Sequence, residues 1–288
     1  MNQFILGMHL FLQSISFTFK HAKLLLYFFI FSLGNLLLSY YLFPSLTITA
    51  QTIQNNFIVE GNYHAGIISS PSLFAILSIL YILASVFIYT VLRVAVTDHA
   101  FHLIHNRKES IWQGLHKGLS QTPSLIMYLA IRTCLILLLL YIPYLVLKPK
   151  ISLITLLDIL LQKKIDSSIE SLIFIGTLGL VTAKLLWESL TFYFFPALII
   201  DNSSFFTSLV QSIKTMIKTI GAIIGALIII ISIDSMIALA MPENSPLFLT
   251  TALDNIMNII SITVLIVFQT MLYEKMKGSL PKKYDPSR

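Results

Sequence analysis

Six stretches of this chain are each long and apolar enough to cross a membrane, and nothing else in the sequence constrains its fold as strongly. They cover residues 24–43, 72–92, 125–147, 172–199, 220–241 and 247–272. A hydrocarbon core of roughly 30 Å needs about 20 mostly apolar residues in helical form. Strands are not viable in their place, because their edge groups find no partner in lipid. Pro44 and Ser45 end the first stretch, Pro71 opens the second, and 242–246 reads as a tight turn between the last two.

Composition removes the competing classes. The 288 residues are 56% hydrophobic and 11% charged, with a mean hydropathy of +0.85. A soluble domain is about 45–50% apolar and about 25% charged. A soluble or disordered chain is therefore excluded. An outer-membrane barrel fits poorly, since its strands alternate and average out polar. A single cysteine, Cys134, excludes a disulfide scaffold and any multi-cysteine metal site. The expected fold class is an all-α integral membrane protein with six transmembrane helices, forming one domain over 1–288.

Orientation follows from lysine and arginine. No basic residue lies between Lys23 and Arg93, so the loop 44–70 faces away from the cytoplasm. Thirteen basic residues fall on the other side, including Lys20, Arg93, Arg107, Lys108, Lys117, Lys214 and Lys218. Four fall outside, Lys148, Lys150, Lys163 and Lys164, around an apolar stretch at 151–161 that is too short to cross. That stretch is expected to be interfacial or re-entrant, with a flipped third or fourth span as the alternative. Both termini are expected in the cytoplasm of a bacterial inner membrane. The N-terminus has no basic residue before its apolar run and no small-x-small site, unlike a cleavable signal.

Three amphipathic segments precede spans. In 2–20, Phe4, Met8, Phe11, Leu12, Ile15 and Phe19 form a stripe opposite His9, Gln13, Ser16 and Lys20. In 109–120 the stripe is Trp112, Leu115 and Leu119, and in 203–218 it is Phe206, Leu209, Ile213 and Met216. Helices of this kind lie flat in the interface. The last two align without a gap, so the chain reads as three parallel units of elbow helix, span out and span back.

The segment Phe194-Phe195-Pro196-Ala197-Leu198-Ile199-Ile200-Asp201-Asn202, followed by Ser208, Leu209, Ser212 and Ile213, carries a resemblance. It resembles a diffuse group of uncharacterised bacterial six-helix membrane proteins. It is distantly similar to the membrane domain of some glycerophosphoryl diester phosphodiesterases. The resemblance implies a six-helix membrane fold. The catalytic phosphodiesterase domain is absent, so it implies no activity.

Ionisable groups within spans are costly and are the default functional candidates. Arg132 lies in the third span, Lys184 and Glu188 at i,i+4 in the fourth, Asp234 in the fifth and Asp254 near the outer end of the sixth. Arg132, Lys184, Glu188 and Asp234 would line a polar cavity if they converge. Otherwise Lys184 and Glu188 form a local pair and Arg132 snorkels to the headgroups. Asp98, His102 and His105 share a helical face, with His99 adjacent, but match no established metal motif; headgroup-facing imidazoles are the simpler reading. Gly221-x-x-x-Gly225, flanked by Ala222 and Ala226, is read as intramolecular packing, with self-association as the alternative.

No phosphate loop, nucleophile elbow or Walker lysine is present. The net charge of +6 sits on the cytoplasmic side and suits anionic headgroups better than nucleic acid. The expectation is therefore a non-enzymatic, lipid-handling or membrane-organising protein without cofactor or metal. Its partners would be lipids, other membrane proteins or a second copy joined through Gly221/Gly225. The alternative is a transporter or channel for a small solute.

Overall fold

The computed structural model describes residues 2–42, 71–147, 182, 186–240, 247–281 and 284. Among these the secondary structure is helical, without strands. The helices are α1 (Gln3–Lys20), α2 (Lys23–Leu42), α3 (Pro71–Ile104), α4 (Ile111–Ser120), α5 (Thr122–Leu147), α6 (Phe194–Ile200), α7 (Phe205–Ala240) and α8 (Leu247–Lys277). Several expectations lie outside the described residues: the loop 44–70, the stretch 151–161 with its four lysines, 172–181 of the fourth span, Lys184 and the turn 242–246.

Among the described residues, three helices are individually long and apolar enough to cross a membrane, at Leu80–Ile104, Phe205–Ile233 and Leu253–Lys277. The count rises to five if each of two bent pairs, α1 with α2 and α4 with α5, is one span. Only 22% of the apolar window of α7 is buried. So large an apolar surface left bare is typical of a lipid-facing element.

Local chemistry sets the helix ends. Asn2 caps α1 by accepting from the Phe4 N–H at 3.2 Å. Pro71 occupies the first position of α3, where its missing N–H costs nothing. Ser110 and Gln113 form a reciprocal capping box on α4. Gln121 is the C-cap of α4, and Pro123 sits in the first turn of α5, where its missing N–H costs nothing. Gly278, at φ 72°, closes α8. There the Ser279 N–H donates to Glu274 O and the Gly278 N–H to Lys275 O, which satisfies the last carbonyls.

The chain forms two compact units, one from 1–35, 84–125 and 190–288, the other from 36–83 and 126–189. In the first, α1 packs on α7 and α8. Its buried face is Leu6, Gly7, Leu10, Phe11, Ser14, Phe17 and Thr18. The stripe read from spacing, expected to lie in the membrane interface, is largely a different set of residues. Of that stripe only Phe11 is buried, and Leu12 and Phe19 are exposed. The reason is close approach. Gly7 lies against the backbone of Ala222, and Gly225 against the carbonyl of Phe4. The Gln3 side chain donates to Lys218 O at 2.7 Å. The small residues at 221–226 therefore seat α1 within the same chain.

Two further differences concern the spans. The third amphipathic segment is not a separate elbow: Phe205–Ala240 is one unbroken helix of 36 residues. The fourth span does not continue as regular helix to Ile199, because a turn at 191–193 interrupts it. That turn is held by α7. The Ser212 Oγ accepts from the Tyr193 N–H at 3.0 Å and donates to Leu190 O at 2.8 Å. One hydroxyl thus satisfies a donor and an acceptor released from the helix ladder. Buried backbone groups left unpaired would each cost roughly 1–3 kcal/mol. Ser203 completes the turn after α6 by donating to Ala197 O at 3.0 Å and bonding the Ser208 hydroxyl at 2.7 Å.

In the second unit, α5 carries Tyr128 against Trp187, with ring centroids 5.2 Å apart. Both rings are buried.

Candidate functional site

The candidate site lies in the first unit, where α3 ends and the chain doubles back into α4. Asn106 takes a left-handed conformation, φ 57°. The Asn106 N–H donates to Leu103 O and the Arg107 N–H to His102 O at 2.8 Å. Asparagine is, after glycine, the residue best suited to this closing position. The reversal carries Glu109 back beside the last turns of α3.

Three side chains meet there. His102 Nδ1 lies 3.8 Å from Asp98 Oδ1 and 3.3 Å from Glu109 Oε2. It also lies 2.9 Å from the Asp98 main-chain oxygen. A carbonyl only accepts, so this ring nitrogen carries the proton. The two carboxyl groups are hydrogen-bonded to each other, and each side chain is 8% exposed. Burial first, then the bond to Asp98 and its negative charge, push the Glu109 carboxyl up to about 8. Glu109 Oε2 is buried and accepts no hydrogen bond.

The trio faces a cleft of about 550 Å³, also lined by Trp112, His116, Lys108 and Lys117. Its floor is rigid. Gly114 and Gly118 of α4 are buried against α3. A Cβ at Gly118 would stand 2.7 Å from Val91 O, and one at Gly114 3.0 Å from Ala95 O. Tyr27 of α2 ties the three helices together: its hydroxyl donates to Ile111 O at 3.1 Å and meets His99 Nδ1 at 2.9 Å. Since the hydroxyl proton goes to the carbonyl, the imidazole is the donor in the second bond.

The sequence grouped Asp98, His102 and His105. The structure keeps the first two together and sends His105 elsewhere, 2.9 Å from Glu274 Oε2 on α8. Glu109 takes its place. It follows His102 by seven residues, but the turn at Asn106 breaks the helical register, so spacing alone does not find it. The signal was the Asn106 turn itself.

Arg132 is half-buried on α5, Glu188 is exposed in the helical stretch 186–190, and Asp234 lies on α7. Lys184 lies outside the described residues. Among the described residues, no ion pair or hydrogen bond joins Arg132 to Glu188. Asp254 is exposed on α8.

The residues that carried the family resemblance have structural work. Ser208 and Ser212 close the turns around α6. Asp201 accepts from the Tyr273 hydroxyl at 2.7 Å and pairs with the Lys277 ammonium. Comparison with known proteins finds no matching family model, no matching curated protein and no matching solved structure.

Proposed function

We propose that this is a non-enzymatic, multi-pass protein of a bacterial cytoplasmic membrane that binds and organises lipids of the cytoplasmic leaflet. The observation that carries the reading is the exposed face of α4. Trp112 is 79% exposed and Leu119 55%, on a helix whose opposite face is pinned to α3 through two glycines. Tryptophan beside lysine at the end of a membrane helix is the composition of the headgroup boundary. Lys108 and Lys117 lie at the same place and attract anionic headgroups. α1 repeats the arrangement, with Ile5, Leu12 and Phe19 exposed and Lys20 at its end. The cytoplasmic placement of both helices rests on the distribution of basic residues along the chain.

The test uses the two tryptophans. Trp187→Phe leaves Trp112 as the sole indole, and the protein is placed in vesicles containing phospholipids brominated at different depths. We expect quenching by shallow bromine. Native mass spectrometry of the detergent-extracted protein should retain an anionic phospholipid that Trp112→Ser and Lys117→Gln lose. Unquenched Trp112 and a bare chain would overturn the reading. A bound solute lost in Glu188→Gln would replace it with transport through Arg132, Lys184, Glu188 and Asp234.

A further inference from the structure

We propose that Asp98, His102 and Glu109 form a binding site for a divalent transition-metal ion of the zinc type, at the floor of the cleft between α3 and α4. The inference stands apart from the lipid reading and survives its failure.

The distances fit the ion. Zinc binds imidazole nitrogen and carboxylate oxygen at about 2.0–2.2 Å, so tetrahedral ligands stand about 3.4 Å from one another. His102 Nδ1 lies 3.3 Å from the Glu109 oxygen and 3.8 Å from the Asp98 oxygen. One ligand atom from each residue falls within 4.8 Å of the others. The edges of the coordination shell are therefore close to formed before any ion enters.

The second observation is an unmet need. The Glu109 side chain is more than nine-tenths buried, and its Oε2 accepts no hydrogen bond. A native structure rarely leaves a buried carboxylate oxygen so. Two carboxyl groups share this enclosed corner with one imidazole, and a dication supplies the positive charge they lack. The ion would displace the proton now on Nδ1 and the one shared by the carboxyl groups, leaving imidazole and carboxylates as ligands. Lys108 and Lys117 line the cleft and oppose a cation, but the two carboxylates touch the ion directly.

The donor set narrows the class. One nitrogen and two oxygens suit zinc, manganese or iron better than copper(I), which prefers thiolate or thioether. Three protein ligands leave further coordination positions facing the cleft. This is an open arrangement rather than a closed structural one.

The test uses the full-length protein in detergent, stripped with chelator and titrated with Co²⁺ and then Zn²⁺. We expect one Co²⁺ per chain, with visible absorption bands that Zn²⁺ abolishes. Glu109→Gln keeps the side chain's shape and removes one of two crowded carboxyls, so it should fold at least as well as the parent without metal. It should weaken binding by more than about 100-fold, since losing even an outer-sphere partner costs about 10–100-fold. Asp98→Asn should do the same. His105→Gln, whose imidazole meets Glu274, should bind as the parent does. Absence of Co²⁺ bands in the folded parent would overturn the proposal. So would binding that survives Glu109→Gln, or binding that His105→Gln abolishes while Glu109→Gln does not.

Discussion

The N-terminal bent pair and α7 start from the same pattern, an amphipathic segment followed by an apolar span, and end as different objects. α1 and α2 meet at 77°. α7 runs straight through the corresponding place for 36 residues. No proline or glycine marks the bend at His21 and Ala22. What marks it is packing: Phe17 and Thr18 before the bend and Leu24, Tyr27 and Phe28 after it are all buried. In α7 the same position is Thr219-Ile220-Gly221. The Thr219 hydroxyl donates back to Thr215 O at 2.9 Å and meets the Tyr193 hydroxyl at 2.7 Å. α1 itself is seated on Gly221, Ala222 and Gly225. A third elbow would bend away the surface on which the first one rests. An amphipathic stretch before a span thus permits a bend without requiring one.

The largest expected effect comes from forcing that bend. Ile220→Pro in a straight helix removes an intrahelical hydrogen bond and clashes with the preceding turn, costing about 3 kcal/mol or more. Ile220 is exposed, so lost packing contributes little. We expect a large drop in thermal midpoint in detergent; a variant as stable as the parent would mean that residues 205–240 do form an elbow.

The seat of α1 comes next. Gly7→Val places branched carbon against the Ala222 backbone, which cannot rotate away, so α1 must lift from α7. Overpacking of this kind costs typically about 1–3 kcal/mol. Gly34→Ala is the matched control, because a Cβ there meets nothing within 4 Å. It should stabilise by about 0.5–1 kcal/mol through helix propensity. Equal effects of the two substitutions in thermal melts would refute close packing at Gly7.

The smallest effect sharpens the α4 side. Glu109 has an ordinary value of 4.5 and is raised to about 8 in the fold. Between these values the folded chain keeps a proton that the unfolded chain releases. Stability from this group is therefore full below pH 4.5, declines across the window and is gone above 8. Asp98, His102, His116, Lys108 and Lys117 line the same cleft and shape the curve. Glu109→Gln should flatten that decline in chelated protein. An unchanged slope would show that Glu109 ionises as it does in water.

The elements that the sequence made legible are those fixed by local chemistry. Pro71 begins α3 where expected, and the described parts of the apolar runs are helical except at the turn 191–193. The polar side of α1 was legible too, since Ser16 and Lys20 are exposed as their spacing implies. Its buried side was not, because the contact is made through Gly7, Ser14 and Thr18, residues that carry no hydrophobic signal. In α4 the same rule hides the contact in Gly114 and Gly118 and leaves Trp112 outside. Of the candidate site, Asp98 and His102 were found through their i,i+4 spacing, and Glu109 was not.

By itself, the sequence determined that the chain is helical and apolar enough to cross a membrane, because burying backbone polar groups in lipid leaves few alternatives. It also determined that α3 opens at Pro71, because a proline at the first helical position acts within its own turn. The tertiary structure alone decided which amphipathic segment bends, which face of α1 is covered, and which carboxylate joins Asp98 and His102. Each of these depends on groups far apart in the chain coming within a few ångströms, and local pattern carries no record of that distance.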